Sequence, residues 1–176
     1  AAWVQQTYIT DDTQFLSGKA QERWLTWQSD MIEESKRYND VEVGGTTGRA
    51  LLLIKQAVTM PPPRDPAKVA RMAELSTKLE GMYGSGKYCP DKAKPDGCLD
   101  IGAISKILAD GNSSYEQQLD AWNGWHTISV PMRKDYQRFV ELTNEGAREL
   151  GFADLGALWR AGYDMPPDEF TAMAAK

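Results

Sequence analysis

Residues 11–39 read DDTQFLSGKAQERWLTWQSDMIEESKRYN, and the spacing of their apolar side chains indicates the fold class. These side chains recur at intervals of three, four and seven residues, which is the repeat of one face of an α-helix. They are Leu16, Ala20, Trp24, Trp27, Met31 and Tyr38. We therefore predict a long helix here, with this apolar face buried against other parts of the chain.

Helix signals continue along most of the chain. Asp65 before Pro66 predicts a helix start, because Asp caps free amide groups and Pro is favoured at the first helical position. Ser113 followed by Glu116 predicts a capping box at the start of another helix. We interpret the apolar run at residues 50–54 as a buried helix turn. Since no stretch alternates with a period of two residues, the predicted fold class is all-α.

Composition narrows the class of protein. The chain has 176 residues, of which 41% are hydrophobic and 26% charged, as in ordinary globular proteins. Its formal net charge of −5 argues against a nucleic-acid partner, because phosphates need a basic surface. No apolar run approaches the roughly 20 residues of a membrane span. The length fits one domain, or a piece of a larger one.

The sequence lacks the residues for a complete catalytic site of its own. His126 is the only histidine, which excludes a histidine-rich zinc site and the motif His-Glu-x-x-His. A nucleophilic triad would have to use His126, and no serine lies at a strand-to-helix turn. We interpret His126 as a hydrogen-bonded histidine near the core. The chain alone is therefore predicted to be inactive, with no catalytic residue and no metal ligand.

Two cysteines, Cys89 and Cys98, enclose a segment with two prolines and one glycine, so the chain can fold back and pair them. A disulfide closing so short a loop would contribute roughly 2–3 kcal/mol of stability. It would also favour a periplasmic or extracellular location. The alternative is two free thiols. Zinc binding is disfavoured, because the spacing is long and no second pair exists.

Several blocks of sequence, spread over nearly the whole chain, match the motifs of one known family and occur in the same order. They are Trp3 with residues 7–10 (TYIT), residues 88–99 (YCPDKAKPDGCL), residues 121–126 (AWNGWH) and residues 136–163 (YQRFVELTNEGARELGFADLGALWRAGY). Together they resemble the angiotensin-converting-enzyme family of peptidyl-dipeptidases. The first block is similar to the family's Trp-x-x-x-Thr-Asn-Ile-Thr, the second to its small disulfide hairpin, and the third to Ala-Trp-Glu-Gly-Trp-His/Arg.

The resemblance implies an all-helical zinc metallopeptidase, a hydrolase that removes dipeptides from the carboxyl end of peptides. In that family the zinc motif, the catalytic glutamate and the third zinc ligand lie downstream of the matched region. Zinc would therefore be bound by the parent enzyme and not by this chain. Residues 1–176 would form a single helical region, the N-terminal lid of a larger catalytic domain, with the remainder of that domain as its partner. We expect a secreted protein from a bacterial source.

The resemblance also assigns site residues, with two departures. Chloride activates many members of the family, and where many carry an arginine that binds chloride this sequence has His126, as do members that lack that chloride site. Where the family has an acidic residue in a prime-side subsite for the peptide, an ungapped alignment from Cys98 places Gly102. Asp100 lies nearby and would take the place of this acidic residue if the alignment shifts by two positions.

A free-standing helical binding or interaction module without catalysis is the alternative interpretation. The two differ in what they expect at the surface, because a lid separated from its body leaves apolar surface exposed. The expected positions are Trp24, Trp27, Trp122 and Trp125. Burial of all four tryptophans would instead favour the free-standing module.

Overall fold

The computed structural model describes residues 1–91 and 95–176, and this part of the chain folds into α-helices joined by turns. The only pairing of extended backbone within it is an isolated antiparallel bridge between Tyr88 and Leu99. The all-α fold class is therefore confirmed. The helices are α1 (Ala2–Thr7), α2 (Asp11–Lys36), α3 (Gly45–Gln56), α4 (Pro66–Gly84), α5 (Ile101–Ala109), α6 (Tyr115–His126), α7 (Arg133–Glu149), α8 (Leu155–Ala161) and α9 (Pro167–Ala174).

The helices form two compact units, and α2, α4 and α7 contribute residues to both. Unit 1 comprises Ala1–Ser17 and Leu75–Gln137, and unit 2 comprises Gly18–Glu74 and Arg138–Lys176. Within the described residues, no helix has both the length and the apolar character that crossing a membrane requires.

One apolar cluster in the core of unit 1 includes Trp125. Ile104, Ala121 and Trp125 are buried together, and partly buried side chains of the hairpin, α5 and the turn after α6 pack against them. Helix α1 is anchored by buried Gln5, whose Nε2 donates to the carbonyl oxygen of Thr77 at 2.9 Å. Because a buried amide needs a partner, this bond fixes the short helix α1 to α4 within the unit.

In unit 2 the backbone of the proline segment packs closely against helix α7. Pro61, Pro62 and Pro63 are buried, and the carbonyl oxygen of Pro61 lies so near Gly146 of α7 that an added Cβ would collide with it. Ion pairs at the surface of the unit join Lys68 to Glu145, and Arg64 to both Glu33 and Glu149. Glycine at position 146 is therefore a packing requirement, because any side chain would push α7 away from the proline segment.

Two predicted helix starts can be compared with the structure. The start at Pro66 is confirmed, and the side chain of Asp65 accepts from the amide of Ala67 at 2.9 Å. The capping box lies one residue later than predicted, between Ser114 and Gln117. Ser113 with Glu116 and Ser114 with Gln117 both fit the capping-box pattern. The backbone amide of Ser113, however, already donates to the carbonyl oxygen of Asp110 in the turn before the helix. The next serine is therefore the one free to cap α6.

The long helix predicted around residues 11–39 is confirmed as α2, but its predicted buried face is wrong. Trp24, Trp27 and Met31 are 51%, 52% and 40% exposed, whereas Leu25 and Ile32 are buried. The helix carries two adjacent apolar stripes separated by about 100°, which is the rotation per residue of an α-helix. Within unit 2, only the stripe with Leu25 and Ile32 is covered.

The apolar run at residues 50–54 is helical as predicted, but it is not buried. None of the residues of α3 is buried, and Leu52 and Leu53 are 43% and 46% exposed. A short apolar run shows that a segment prefers an apolar environment, but not whether the same chain supplies it. The prediction of a buried turn was therefore wrong.

The contact between Pro61 and Gly146 can be tested by substitution. Gly146→Ala should lower the free energy of unfolding by about 2–4 kcal/mol, because the new methyl group collides with fixed backbone. Urea unfolding followed by circular dichroism at 222 nm measures the change. Gly111→Ala is the control, since no atom lies within 4 Å of an added Cβ there. Equal stability of the two variants would contradict this account of the packing.

Candidate functional site on the disulfide hairpin and helix α6

The disulfide hairpin joins Cys89 to Cys98, as predicted, and neither cysteine is free. Beside the bridge, the amide of Tyr88 donates to the carbonyl of Leu99 at 2.8 Å, and the amide of Leu99 donates back at 2.7 Å. Residues 92–94 of the loop lie outside the described residues. The disulfide and the paired amides together hold Tyr88 in one position at the base of the hairpin.

Tyr88 connects the hairpin to helix α6 through two contacts. Its hydroxyl donates to Oδ1 of Asp120 at 2.9 Å, and its ring lies where a Cβ on Gly124 would be. The hydrogen bond to Asp120 raises the pKa of Tyr88 above its ordinary value, with burial and the negative charge of Asp120 acting in the same direction. The hairpin and α6 are therefore fixed to each other by one apolar and one polar contact.

Helix α6 has a buried face and an exposed face. Ala121, Gly124 and Trp125 point into unit 1, where the ring of Trp125 meets Tyr83 edge to face at 5.6 Å. The opposite side of the helix, which we call the α6 outer face, consists of Tyr115, Leu119, Trp122 and His126. Its first three residues are 72%, 41% and 54% exposed. Their spacing of four, three and four residues places them on one line along the helix.

His126 lies on the α6 outer face, so the prediction that it sits near the core is wrong. Its Nδ1 is 2.7 Å from the carbonyl oxygen of Trp122, and its ring centroid is 4.4 Å from that of Trp122. Because a carbonyl only accepts, Nδ1 carries the proton in this bond and Nε2 is left for other partners. The hydrogen bond that we predicted is therefore present, although the site is exposed.

Asp100 and Gly102 lie together at the start of α5. Asp100 caps the helix, with its Oδ1 accepting from the amide of Ala103 at 2.8 Å. An added Cβ on Gly102 would lie 3.3 Å from that same Oδ1. Both residues are exposed, and the carboxylate of Asp100 retains acceptor capacity beyond the cap. Their role in a prime-side subsite stays a prediction.

Unit 2 presents a second aromatic surface, which we call the α2 outer face: Trp24, Trp27, Met31 and Tyr38. The rings of Trp24 and Trp27 stack with centroids 5.0 Å apart. The exposure expected of a separated lid is thus confirmed for Trp24, Trp27 and Trp122, against the burial that helical spacing alone predicted for the first two, and it is wrong for Trp125. Trp125 is buried because it packs in one apolar cluster with Ile104 and Ala121.

The two outer faces are suited to binding another surface. Throughout residues 1–91 and 95–176, no three His, Cys, Asp or Glu side chains lie close enough together to hold a metal ion. Exposed aromatic rings aligned on a rigid helix are instead the composition found at the centres of protein interfaces. The two outer faces are therefore the strongest candidate functional surfaces of the chain.

Comparison with known proteins gives the family. The family model described as "Angiotensin-converting enzyme" matches residues 1–175. The chain belongs to the angiotensin-converting enzyme family. Among its relatives, the angiotensin-converting enzymes of Oryctolagus cuniculus, Bos taurus and Rattus norvegicus are 32%, 33% and 31% identical over 96%, 94% and 96% of this chain. The chain spans 13% of the length of each of these three relatives.

Membership of this family agrees with the all-helical fold and with the order of the sequence blocks that resembled it. Sequence patterns did not reveal the contact between Tyr88 and Asp120, because these residues are 32 positions apart and share no motif. The same holds for Arg49 and Asp164, which are 115 positions apart and form an ion pair in unit 2. Such pairs become visible only once helices have packed.

The bond between Tyr88 and Asp120 should be visible in a pH titration. Asp120→Asn should lower the pKa of Tyr88 towards the ordinary tyrosine value of about 10, because the charge that opposes phenolate formation is lost. Absorbance at 295 nm measures phenolate formation. Because the folded pKa is raised, the stability contributed by this bond is present at neutral pH and is lost as the pH rises through that pKa.

Tyr88→Phe identifies the signal, since it should remove the highest-pH step of the titration in the native protein. An unchanged titration curve in Asp120→Asn would contradict the hydrogen bond. Tyr115→Phe serves as the matched control, because Tyr115 is on the opposite side of α6 and its loss should leave the Tyr88 step in place.

Proposed function

We propose that this chain is the N-terminal helical part of a zinc peptidyl-dipeptidase, which releases dipeptides from the carboxyl end of peptides, and that it covers the substrate cleft. The observation that carries this proposal is the family match over residues 1–175, in a chain that spans 13% of its relatives. The remaining catalytic domain would be its partner, and a peptide its substrate through that partner. Residues 1–176 would then be one incomplete region of that larger domain.

The outer faces support a covering role. Trp24, Trp27 and Trp122 are each about half exposed, which is unusual for so large an apolar side chain. A second polypeptide segment lying on these faces would remove their rings from water and would exclude water from the space beneath. Exclusion of water strengthens electrostatic interactions inside an active site. The chain's own residues would thus shape the cleft rather than act on the scissile bond.

Zinc does not fit the residues described here, since they hold no cluster of metal ligands. In the whole enzyme zinc would polarise the scissile carbonyl and activate a water molecule. We assign no step of that chemistry to this chain. The chloride site of the family at His126 stays a prediction, as does the prime-side role of Asp100 or Gly102.

An extracellular location is supported by the disulfide between Cys89 and Cys98, because such bonds persist in oxidising compartments. A periplasmic location and a bacterial source stay predictions. The second candidate function is a free-standing helical binding module, which the exposed aromatic rings of the outer faces would suit. It also uses the outer faces, but with another protein as the partner.

A peptidase assay separates the two candidates. The purified 176-residue chain, supplied with zinc, should not cleave a blocked tripeptide. A longer product of the same gene that includes the downstream region should cleave it, and a chelator should abolish that activity. Turnover by the 176-residue chain alone, lost on chelation, would overturn the assignment of the zinc site to another part of the enzyme. An inactive longer product with no His-Glu-x-x-His would favour the binding module.

Fluorescence quenching tests the covering role. Acrylamide should quench Trp24, Trp27 and Trp122 in the isolated chain and leave Trp125 protected. Trp3 and Trp159 are also exposed, so the test uses a Trp3→Phe, Trp159→Phe background, in which Trp24, Trp27 and Trp122 should become protected in the longer protein. Trp125→Phe should remove the protected component from the isolated chain, which identifies it. Equal quenching of Trp24, Trp27 and Trp122 in the isolated chain and in the longer protein, both in this background, would contradict the proposal that the outer faces are covered.

A further inference from the structure

The turn between α5 and α6 carries a sequence pattern that the proposed function does not use. Residues 110–114 read DGNSS, which places the hydroxyl group of Ser114 two positions after Asn112. Asn-x-Ser/Thr, with any residue except proline between the two, is the acceptor pattern of N-linked glycosylation. Among the four asparagines of the sequence, Asn112 is the only one that meets this pattern. Because so short a pattern also arises by chance, its surroundings decide whether it is a site.

Asp110 makes the match more specific. It stands two positions before Asn112, and the intervening Gly111 is not proline. Acid-x-Asn-x-Ser/Thr is the longer acceptor pattern that bacterial oligosaccharyltransferases read, and a carboxylate at its first position can pair with a basic group of the enzyme. The chain therefore meets the stricter of the two patterns, which arises by chance less often than the shorter one.

The structure places Asn112 in an exposed turn outside both helices. Residues 109–112 are all exposed, and no atom lies within 4 Å of a Cβ added to Gly111. The side-chain Nδ2 of Asn112, which is the atom that would carry the glycan, donates to Oδ1 of Asp110 at 3.0 Å. The backbone amide of Asn112 donates to the same oxygen at 2.9 Å. These bonds are local, so an enzyme can take up the side chain without opening the core of unit 1.

Ser114 is bonded to the first turn of α6. Its Oγ accepts from the amide of Gln117 at 3.2 Å. The pKa of Glu116 is lowered by a hydrogen bond from its own backbone amide and, to a smaller extent, by one from the hydroxyl of Ser114. Helix ends open locally at little cost. Opening of this one turn would release the hydroxyl and let residues 110–114 extend along an enzyme, while the apolar cluster that includes Trp125 stays folded.

The disulfide between Cys89 and Cys98 supports the same interpretation. It lies in the same unit as Asn112, and such bonds form in the periplasm, in the endoplasmic reticulum and outside the cell. N-linked glycans are also added on the oxidising side of the membrane, to surface segments of secreted proteins. The acceptor pattern and the disulfide therefore indicate the same kind of compartment.

We propose that Asn112 is an N-glycosylation site, at which a transferase recognises the hydroxyl of Ser114 and the carboxylate of Asp110. The co-substrate is an oligosaccharide linked to a lipid through pyrophosphate. A bond forms between Nδ2 of Asn112 and C1 of the first sugar, while the bond between C1 and the phosphate oxygen breaks. Nδ2 loses one proton, and the lipid pyrophosphate leaves with the electron pair of the broken bond.

A glycan on Asn112 is compatible with a covered α6 outer face. Asn112 precedes the first residue of α6 by three positions, whereas Trp122 and His126 lie in the second half of the helix. At the helical rise per residue, Trp122 is about 10 Å along the axis from that first residue. A partner can therefore lie on Trp122 and His126 while the glycan extends from the turn into solvent.

Mapping of the glycan on the full-length product of the gene tests the proposal. The protein is exported to the periplasm of a bacterial host that carries an acid-dependent oligosaccharyltransferase and its lipid-linked oligosaccharide. Peptide mass mapping of the folded, disulfide-bonded protein should find a glycan on Asn112, and Asn112→Gln should remove it. Asn39→Gln is the matched control and should leave the occupancy of Asn112 unchanged. Asn39 is also exposed, but no hydroxyl residue follows it two positions later.

Three further variants separate recognition from folding. Ser114→Thr keeps both the hydroxyl and the helix cap, so the glycan should be retained. Ser114→Asp keeps the cap but lacks the hydroxyl, and it should abolish the modification. Asp110→Ser keeps an oxygen that can accept from the turn but loses the charge. It should lower the occupancy by about tenfold, because a charge-assisted contact with the enzyme is lost.

An unmodified Asn112 in the wild type would overturn the proposal, whether or not a free peptide of residues 106–118 is modified by the same enzyme. Wild-type occupancy in Ser114→Asp or in Asp110→Ser would overturn it as well. Thermal unfolding followed by circular dichroism checks that each variant is folded. The result is independent of the proposed function, because the modification is measured by mass and not by peptidase turnover or tryptophan protection.

Discussion

Helices α2 and α6 each carry apolar side chains on two faces, and each unit covers one of those faces. In α2 the covered face holds Leu25 and Ile32, and in α6 it holds Ala121 and Trp125. This constraint shapes the rest of the structure. The covered faces build the cores of the two units, and the uncovered faces become the surfaces on which a partner can lie.

Local physical chemistry made much of the fold predictable. The period of apolar residues, the Asp–Pro start of α4 and the pairing of Cys89 with Cys98 all depend on neighbours in sequence. The capping box shows how two neighbouring positions can both match one pattern. Ser113 and Ser114 each have the residue that a capping box needs three positions later, but the turn before α6 uses the amide of Ser113, so Ser114 caps the helix. The error was one residue, and its cause was a hydrogen bond outside the helix.

Predictions about burial depended on information that a single chain does not contain. A stripe such as Trp24, Trp27 and Met31 has the spacing of a core face, and the spacing is the same whether the covering surface lies in this chain or in another. Trp125 was misjudged in the opposite direction for the same reason. The site contacts that position α6 and α3, through Tyr88 and Asp164, join residues far apart in sequence. They could not be predicted, because they exist only after packing has brought the helices together.

The free energy stored in the outer faces is large enough to matter for the isolated chain. A tryptophan contributes roughly 200 Å² of surface, so covering the exposed half of one ring would gain about 2.5 kcal/mol at 25 cal/mol per Å². For Trp24, Trp27 and Trp122 together the gain would be about 7.5 kcal/mol, before the costs of association. That sum is comparable to the whole stability of an ordinary domain. Covering these faces would therefore favour association with a surface that fits them, provided that the gain exceeds the costs of association.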